Sequence, residues 1–508
     1  MILSRATLKN IPTSIVELPD EKIFSLPEKV LQFGTGVFIR SFANYFIDKA
    51  NKKGVFNGRA VVIKSTENGN SSEFDHQDGL YTICSKGIVN GEVKHEYTVN
   101  ASISRVLLSV SQWGEILACA KNPEMKVVIS NTTEVGIQLA KEKLGDKAPA
   151  SFPGKLLAFL LERYKAFEGS AESGMVIVPT ELIPDNGTIL KQIIIELAHH
   201  NQIDEQTIAW LNDHNTFCNS LVDRIVPGKP GKEELATIQE ELGYTDNLLS
   251  VSELFSLWAI EGDATIREAL SFSAADSSVI INSNIDIYRE LKLRLLNGTH
   301  TFNCGLAFLA GFNLTREAML DKTYGMFASR LMHEEIAAAI PCAIDSKVKS
   351  DYANKVIERF CNPYINHQWI SISAQFTSKM KMRNVPLLKR HYELFGNVPA
   401  GMVAGFAGYL LFMKSVKFDN GKYFGEVNGI GYPINDDSAA YFHDCWKNNH
   451  PAELVKTVLA NRALWGMDLC DLNGFEANVL QKLQQIMAFG VLTVITANEN
   501  KSNLLISA

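Results

Sequence analysis

No Cys-x-x-Cys pair occurs in the chain, and no two of its 8 cysteines stand within ten residues of each other. Neither a zinc knuckle nor a thioredoxin-like site is therefore expected. Such scattered cysteines suit reduced, mostly buried thiols in a cytoplasmic protein. No stretch is dense in Lys or Arg. The 49 basic residues face 56 acidic ones, a net charge of −7. That argues against a nucleic-acid partner, which needs a basic footprint for phosphates. No apolar run reaches the roughly 20 residues of a membrane span. The longest, Ala400 to Met413, has 14 and contains Gly401, Gly405 and Gly408. It reads as a buried helix whose glycines permit close helix contact, so no membrane partner is expected. The first residues carry Arg5, Lys9, Glu17 and Asp20 and lack the apolar core of a signal peptide. Internal repeats, low-complexity segments and a Pro/Gly-rich linker are all missing.

What is present is an ordinary globular composition, 46% hydrophobic and 21% charged over 508 residues. That length suits two large domains or three smaller ones, each able to bury its own core. In the first half, short β-branched runs alternate with helical patterns. Val30–Phe33, Arg59–Lys64, Met125–Ser130 and Met175–Val178 read as strands, and Val37–Ala50 as a helix. Alternation of this kind implies βαβ units and a doubly wound parallel sheet. Leu80–Cys84, Glu92–Val99 and Ser102–Leu107 form a strand-rich excursion, expected to extend the sheet in antiparallel fashion. From about Ile285 onward helical periodicity dominates and few β-rich runs remain. The expected division is 1–284, α/β with a β-rich insertion, and 285–508, mainly α-helical.

The first strand ends in Phe33-Gly34-Thr35-Gly36-Val37-Phe38, which opens the first helix. Gly34 would make the tight turn, and Gly36 would let a pyrophosphate approach the backbone. The third glycine of the dinucleotide fingerprint is replaced by Ile39, so an ordinary strand-to-helix turn competes with this reading. After the second strand, Lys64-Ser65-Thr66-Glu67 offers both signs of charge and does not choose between ribose hydroxyls and a 2′-phosphate. Ser130-Asn131-Thr132-Thr133-Glu134 ends a later strand, where doubly wound sheets bind ligands. Helix capping by Thr132 or Thr133 is the competing account.

Lys292, Asn297 and His300 open the helical half. At 100° per residue Asn297 stands about 140° and His300 about 80° round from Lys292, so the three can converge. The competing readings are a solvated face for Lys292 and Arg294 and a C-cap at Asn297-Gly298.

Taken together, Gly34-x-Gly36-x-Phe38-x-Arg40, Val222-Asp223-Arg224-Ile225, and Lys292 with Asn297 and His300 resemble the mannitol dehydrogenase family, the polyol-specific long-chain dehydrogenases. Finer signs include Asp78-Gly79-Leu80-Tyr81-Thr82, Asn131-Thr132-Thr133-Glu134, Glu241-Leu242-Gly243-Tyr244 and Asn362-Pro363-Tyr364-Ile365-x-His367-Gln368. They lie nearest the members that act on hexuronates. The resemblance implies a Rossmann-type N-terminal domain, a mainly helical C-terminal domain, NAD as cofactor and no catalytic metal. It implies Lys292 as general acid and base, with Asn297 and His300 beside it. The implied cofactor contacts are Phe33, Gly34, Thr35, Gly36, Val37, Phe38, Thr132, Glu134 and Asp223. Glu181 falls near the place of a family asparagine, one residue out of register. A hexuronate or hexonate brings a carboxylate that needs a cation. Arg383 and Lys379 are the candidates, in a stretch whose alternation puts Lys379, Lys381 and Arg383 on one side if extended; a solvated basic edge competes. The other functions to weigh are a mannonate or neutral-polyol dehydrogenase and a dinucleotide-binding protein without turnover. A monomer or weak homo-oligomer is expected.

Overall fold

The computed structural model describes residues 1–65, 72–133 and 135–496. The chain divides into two compact units, Met1–Gly87 with Val93–Ile285, and Ile88–Glu92 with Asp286–Ala508.

The first unit is built on six parallel strands. In chain order its β-structure runs β1 (Glu28–Phe33), β2 (Arg59–Lys64), β3 (Tyr81–Val89), β4 (Glu92–Asn100), β5 (Ile103–Leu108), β6 (Val127–Ser130), β7 (Val176–Pro179) and β8 (Thr216–Phe217). It continues with β9 (Ser220–Asp223), β10 (Ser250–Glu253), β11 (Leu257–Glu261) and β12 (Val279–Asn282). The main sheet has the order β5-β2-β1-β6-β7-β8, all neighbours parallel. Winding goes outward from β1 through β2 to β5, then starts again from β6 on the other side. This is the strand order of the doubly wound dinucleotide fold, and its switch point lies between β1 and β6. Alternate residues feed opposite faces. Val30, Ala60, Val62 and Ile129 join one core, and Leu31, Phe33, Val61, Ile63 and Val128 the other. A sheet buried on both faces explains why β2 reads as a continuous apolar run.

Two details depart from the sequence reading. The helix expected over Val37–Ala50 is broken into Val37–Arg40 and Ala43–Lys52, with Phe42 at φ −125°, ψ −86° between them. Ser41 and Phe42 turn inward, both fully buried, and Ser41 Oγ meets Ser250 Oγ at 2.7 Å. Packing here overrides helical continuity. The strand-rich excursion also splits. β5 joins the main sheet in parallel with β2, while β3 and β4 form a separate sheet with β10, whose β10–β3 pairing is parallel.

The second unit is mainly helical, with one three-stranded antiparallel sheet of β13 (Lys417–Asp419), β14 (Lys422–Val427) and β15 (Ile430–Ile434). Its core is the helix Ala400–Phe412, laid against Thr299–Leu309. A Cβ on Gly405 would stand 2.5 Å from Phe302, and one on Gly408 2.5 Å from Leu306. The glycines therefore set the helix separation. Among the described residues no helix is long and apolar enough to cross a membrane.

Candidate active site

At the switch point, Phe33 pairs with Ser130 in register, and the chain leaves β1 through Gly34. Gly34 N–H donates to Ile63 O at 3.0 Å, and Asn131 N–H to Phe33 O at 3.0 Å. Gly34 sits at φ +117°, and a Cβ there would lie 2.6 Å from Asn131 O. Only glycine lets the two strand ends come this close. Gly36 differs. It precedes the short helix Val37–Arg40, and a Cβ added to it would find no atom within 4 Å. Open space in front of a glycine at the carboxyl edge of a doubly wound sheet fits a pyrophosphate. Thr35, Val37 and Phe38 are half-buried around that space. Arg40 braces the turn from inside. It is buried, and it donates from Nε to Thr35 O at 3.2 Å and from Nη1 to Leu248 O at 2.6 Å.

Thr132 lies in the segment after β6, and neither it nor Thr133 caps a helix. Both the backbone N–H (2.9 Å) and Oγ1 (3.0 Å) of Thr132 donate to Glu181 Oε1, while Ser130 Oγ donates to Oε2 at 3.0 Å. Glu181 is 3% exposed, and desolvation pushes its carboxyl above the ordinary glutamate range. Its oxygens point back at the β6 end, so it positions Thr132. Glu134, Thr66 and Glu67 lie outside the described residues. Asp223 closes β9, buried, in the sheet ordered β12-β11-β9. Just upstream, Asn186 ties β7 to β9. Its amide donates to Pro179 O (3.1 Å) and Ser220 O (3.2 Å), and its carbonyl accepts from Ser220 N–H (2.9 Å).

In the second unit, Lys292, Asn297 and His300 occur on one unbroken helical run. Asp286–Leu291 is α-helical, Lys292–Gly298 is π-helical, and Thr299–Leu309 is α-helical again. The π turn corrects the angular reading. Bonding from residue i to i+5 stacks Asn297 over Lys292 instead of about 140° away. The helix also continues through Asn297-Gly298, which is no C-cap. Arg294, read as a surface group, is 6% exposed. Its Nε donates to Glu290 at 2.9 Å and its Nη1 to the carbonyls of Met382 (2.9 Å) and Arg383 (2.6 Å).

Those carbonyls belong to a second π segment, Met380–Asn384, which follows the helical turn Phe376–Lys379. The stretch is helical, so the condition under which Lys379, Lys381 and Arg383 would share one side, an extended segment, is not met. Lys379 and Arg383, four residues apart, share a face. Lys381 turns away, exposed, and donates to Ala463 O at 3.2 Å. Arg383 Nη1 donates to Thr301 Oγ1 (3.2 Å), which donates to Asn297 O (2.8 Å). Lys379 Nζ donates to Ile372 O at 2.9 Å. Among the described residues neither Lys379 nor Arg383 pairs with a carboxylate.

His300 is 7% exposed and stacks on Phe360, with centroids 4.1 Å apart and planes at 16°. Its Nε2 is buried without a hydrogen-bond partner among the described residues. Burial, and then the nearby charges of His367, Arg359, Arg383 and Lys379, hold its imidazole well below the ordinary histidine range. Burial and Arg383 likewise depress the Lys379 ammonium. Half-buried Lys379 and Arg383 therefore act on the buried His300 imidazole, in the unit whose helical run also carries Lys292 and Asn297. These groups can receive an anion, donate hydrogen bonds to an oxygen and move a proton. Arg294, Glu181 and Arg40 are the positioning groups that periodicity alone does not reveal.

Such a pairing, a Rossmann-type unit followed by a helical unit that carries Lys292, Asn297 and His300 on one run, fits a two-domain dehydrogenase. The mannitol dehydrogenase Rossmann domain matches residues 28–273, and the mannitol dehydrogenase C-terminal domain residues 284–487. The chain belongs to the mannitol dehydrogenase family and is an oxidoreductase acting on CH–OH groups. It is 36% identical to an altronate oxidoreductase of Halalkalibacterium halodurans, over 94% of this chain and 95% of that one. It is also 36% identical to the Bacillus subtilis altronate oxidoreductase, over 92% and 94%. Among solved structures, a D-sorbitol dehydrogenase in substrate-free form matches with a TM-score of 0.80 at 20% identity, covering 97% of this chain and 100% of that one. The Pseudomonas fluorescens mannitol 2-dehydrogenase ternary complex with NAD and D-mannitol matches at 0.67 and 21%, covering 99% and 100%.

Proposed function

We propose that this chain catalyses the reversible, NAD-dependent reduction of D-tagaturonate to D-altronate. The observation that carries the reading is the presence of Lys379 and Arg383, without carboxylate partners, on the unit that holds Lys292, Asn297 and His300. A neutral polyol does not call for unpaired cations; a sugar acid does. The names of the relatives support the same substrate pair.

NAD(H), when bound, supplies or removes the hydride. The chain's own groups manage the oxygen. Lys292 gives a proton to the forming alkoxide in reduction and takes the hydroxyl proton in oxidation. The Asn297 amide and the His300 imidazole, whose Nε2 is buried without a hydrogen-bond partner among the described residues, donate to that oxygen as its charge develops. Arg383 offers a planar fork to the substrate carboxylate, and Lys379 a second positive charge.

Initial rates of NADH oxidation with D-tagaturonate, D-fructuronate and D-fructose, measured side by side, test the reading. The expected order of kcat/KM has tagaturonate first and fructose last. A preference for fructose would overturn it, and a preference for fructuronate would move the assignment to the epimeric pair.

A further inference from the structure

One imidazole beside this site has no role in the scheme above. His367 lies in the loop before Trp369–Ile372, and its ring meets that of His300 edge to face, with centroids 5.0 Å apart and planes at 88°. The backbone here is held on both sides. Thr315 N–H donates to His367 O at 2.9 Å, Trp369 N–H donates to Asn313 O at 3.0 Å, and Leu314 bridges Gln368. The ring is not held in this way. It is half-buried, and neither of its nitrogens has a hydrogen-bond partner among the described residues. Its nitrogens are not sealed in the core, so the ring stays open to a ligand. Two cations and an aromatic ring act on it. Lys379 and Arg359 act on it electrostatically, and His300 packs against it.

We propose that His367 is a substrate-contacting residue that donates a hydrogen bond to the carboxylate of the sugar acid, completing with Lys379 and Arg383 a three-point anion site. The proposal rests on the sugar-acid reading and deepens it. Burial and the two neighbouring cations hold the imidazole below the ordinary histidine range. It therefore contributes a neutral N–H and no third full charge. A rigid backbone carrying an unpaired donor is pre-organised for an anion, and binding costs little reordering.

His367→Phe keeps the ring and its contact with His300 but removes both nitrogens. For D-tagaturonate, KM should rise roughly ten-fold or more with kcat little changed. For D-fructose, kcat/KM should stay within about two-fold of wild type. His367→Gln, which restores a donor, should recover part of the loss. An equal loss on both substrates, or no loss on either, would overturn the assignment. The wild-type substrate order judges the functional reading separately. Calorimetric binding of D-altronate to wild type and H367F provides a readout independent of turnover, and equal affinities would also overturn the proposal.

Discussion

Lys292 stands in a π turn, and that placement gives the proton-transfer reading a physical basis. A π turn is rare, and it persists where something else requires its geometry. Here it brings Lys292 and Asn297 to one face. On this basis Lys292→Ala should lower kcat by about 10²–10⁴-fold, the usual range for general acid–base groups. NADH affinity should stay near wild type, because the glycine turn is in the other unit. Single-turnover rates and NADH titration check both halves. A variant retaining a tenth of wild-type kcat would remove Lys292 from the role. Arg294 shows the opposite relation between sequence and structure. As a letter beside Lys292 it looks like one more surface cation. In the fold it is buried and joins the two π segments through Met382 O and Arg383 O. Its neighbours in space lie some 88 positions along the chain. Local pattern cannot reveal such a partner.

Elements with one dominant physical cause were legible in the sequence. The run Arg59–Lys64 is a strand because both faces of a parallel sheet are buried, and its limits in the structure match the apolar run. The glycine-bearing helix Ala400–Phe412 is likewise visible from composition. Elements shaped by competing causes were not. Helical period alone would carry Val37 through Ala50, yet the burial of Ser41 and Phe42 breaks it. Lys379, Lys381 and Arg383 would share a side only if extended, and the flanking helices impose their own geometry. The glycine turn allows a sharper test, because its two glycines do different things. Gly34→Ala forces a side chain to φ +117° and into Asn131 O. It should cost at least about 1–3 kcal/mol of stability and weaken NADH binding as well. Gly36→Ala meets nothing in the protein. Its thermal midpoint should be nearly unchanged, while its NADH Kd rises. Thermal melts and NADH titration on both variants separate the cases. A Gly36→Ala protein that binds NADH like wild type would place the pyrophosphate elsewhere.

At the scale of the whole molecule, the candidate residues sort by unit. The glycine turn, Thr132, Glu181 and Asp223 belong to the first, and Lys292, Asn297, His300, Lys379 and Arg383 to the second. Cofactor and substrate should therefore stabilise different parts of the chain. A ligand at 100 times its Kd adds about 2.7 kcal/mol to the state that binds it. For a unit of about 280 residues, the size of the first, that is a rise of roughly 4–6 °C in its transition. NADH should produce such a rise in the unfolding of the first unit, and NADPH at the same concentration a much smaller one. The reason lies at the end of β2. A 2′-phosphate needs an accessible cation there. Lys64 is 8% exposed and already engaged within the protein, Ser65 is neutral, and no Arg follows before Glu67. The two nucleotides differ only in that phosphate, so the shift isolates this one contact. Calorimetric scans with each nucleotide, followed by initial rates with each, make the measurement. A larger shift or faster turnover with NADPH would mean that a cation other than Lys64 reaches the ribose.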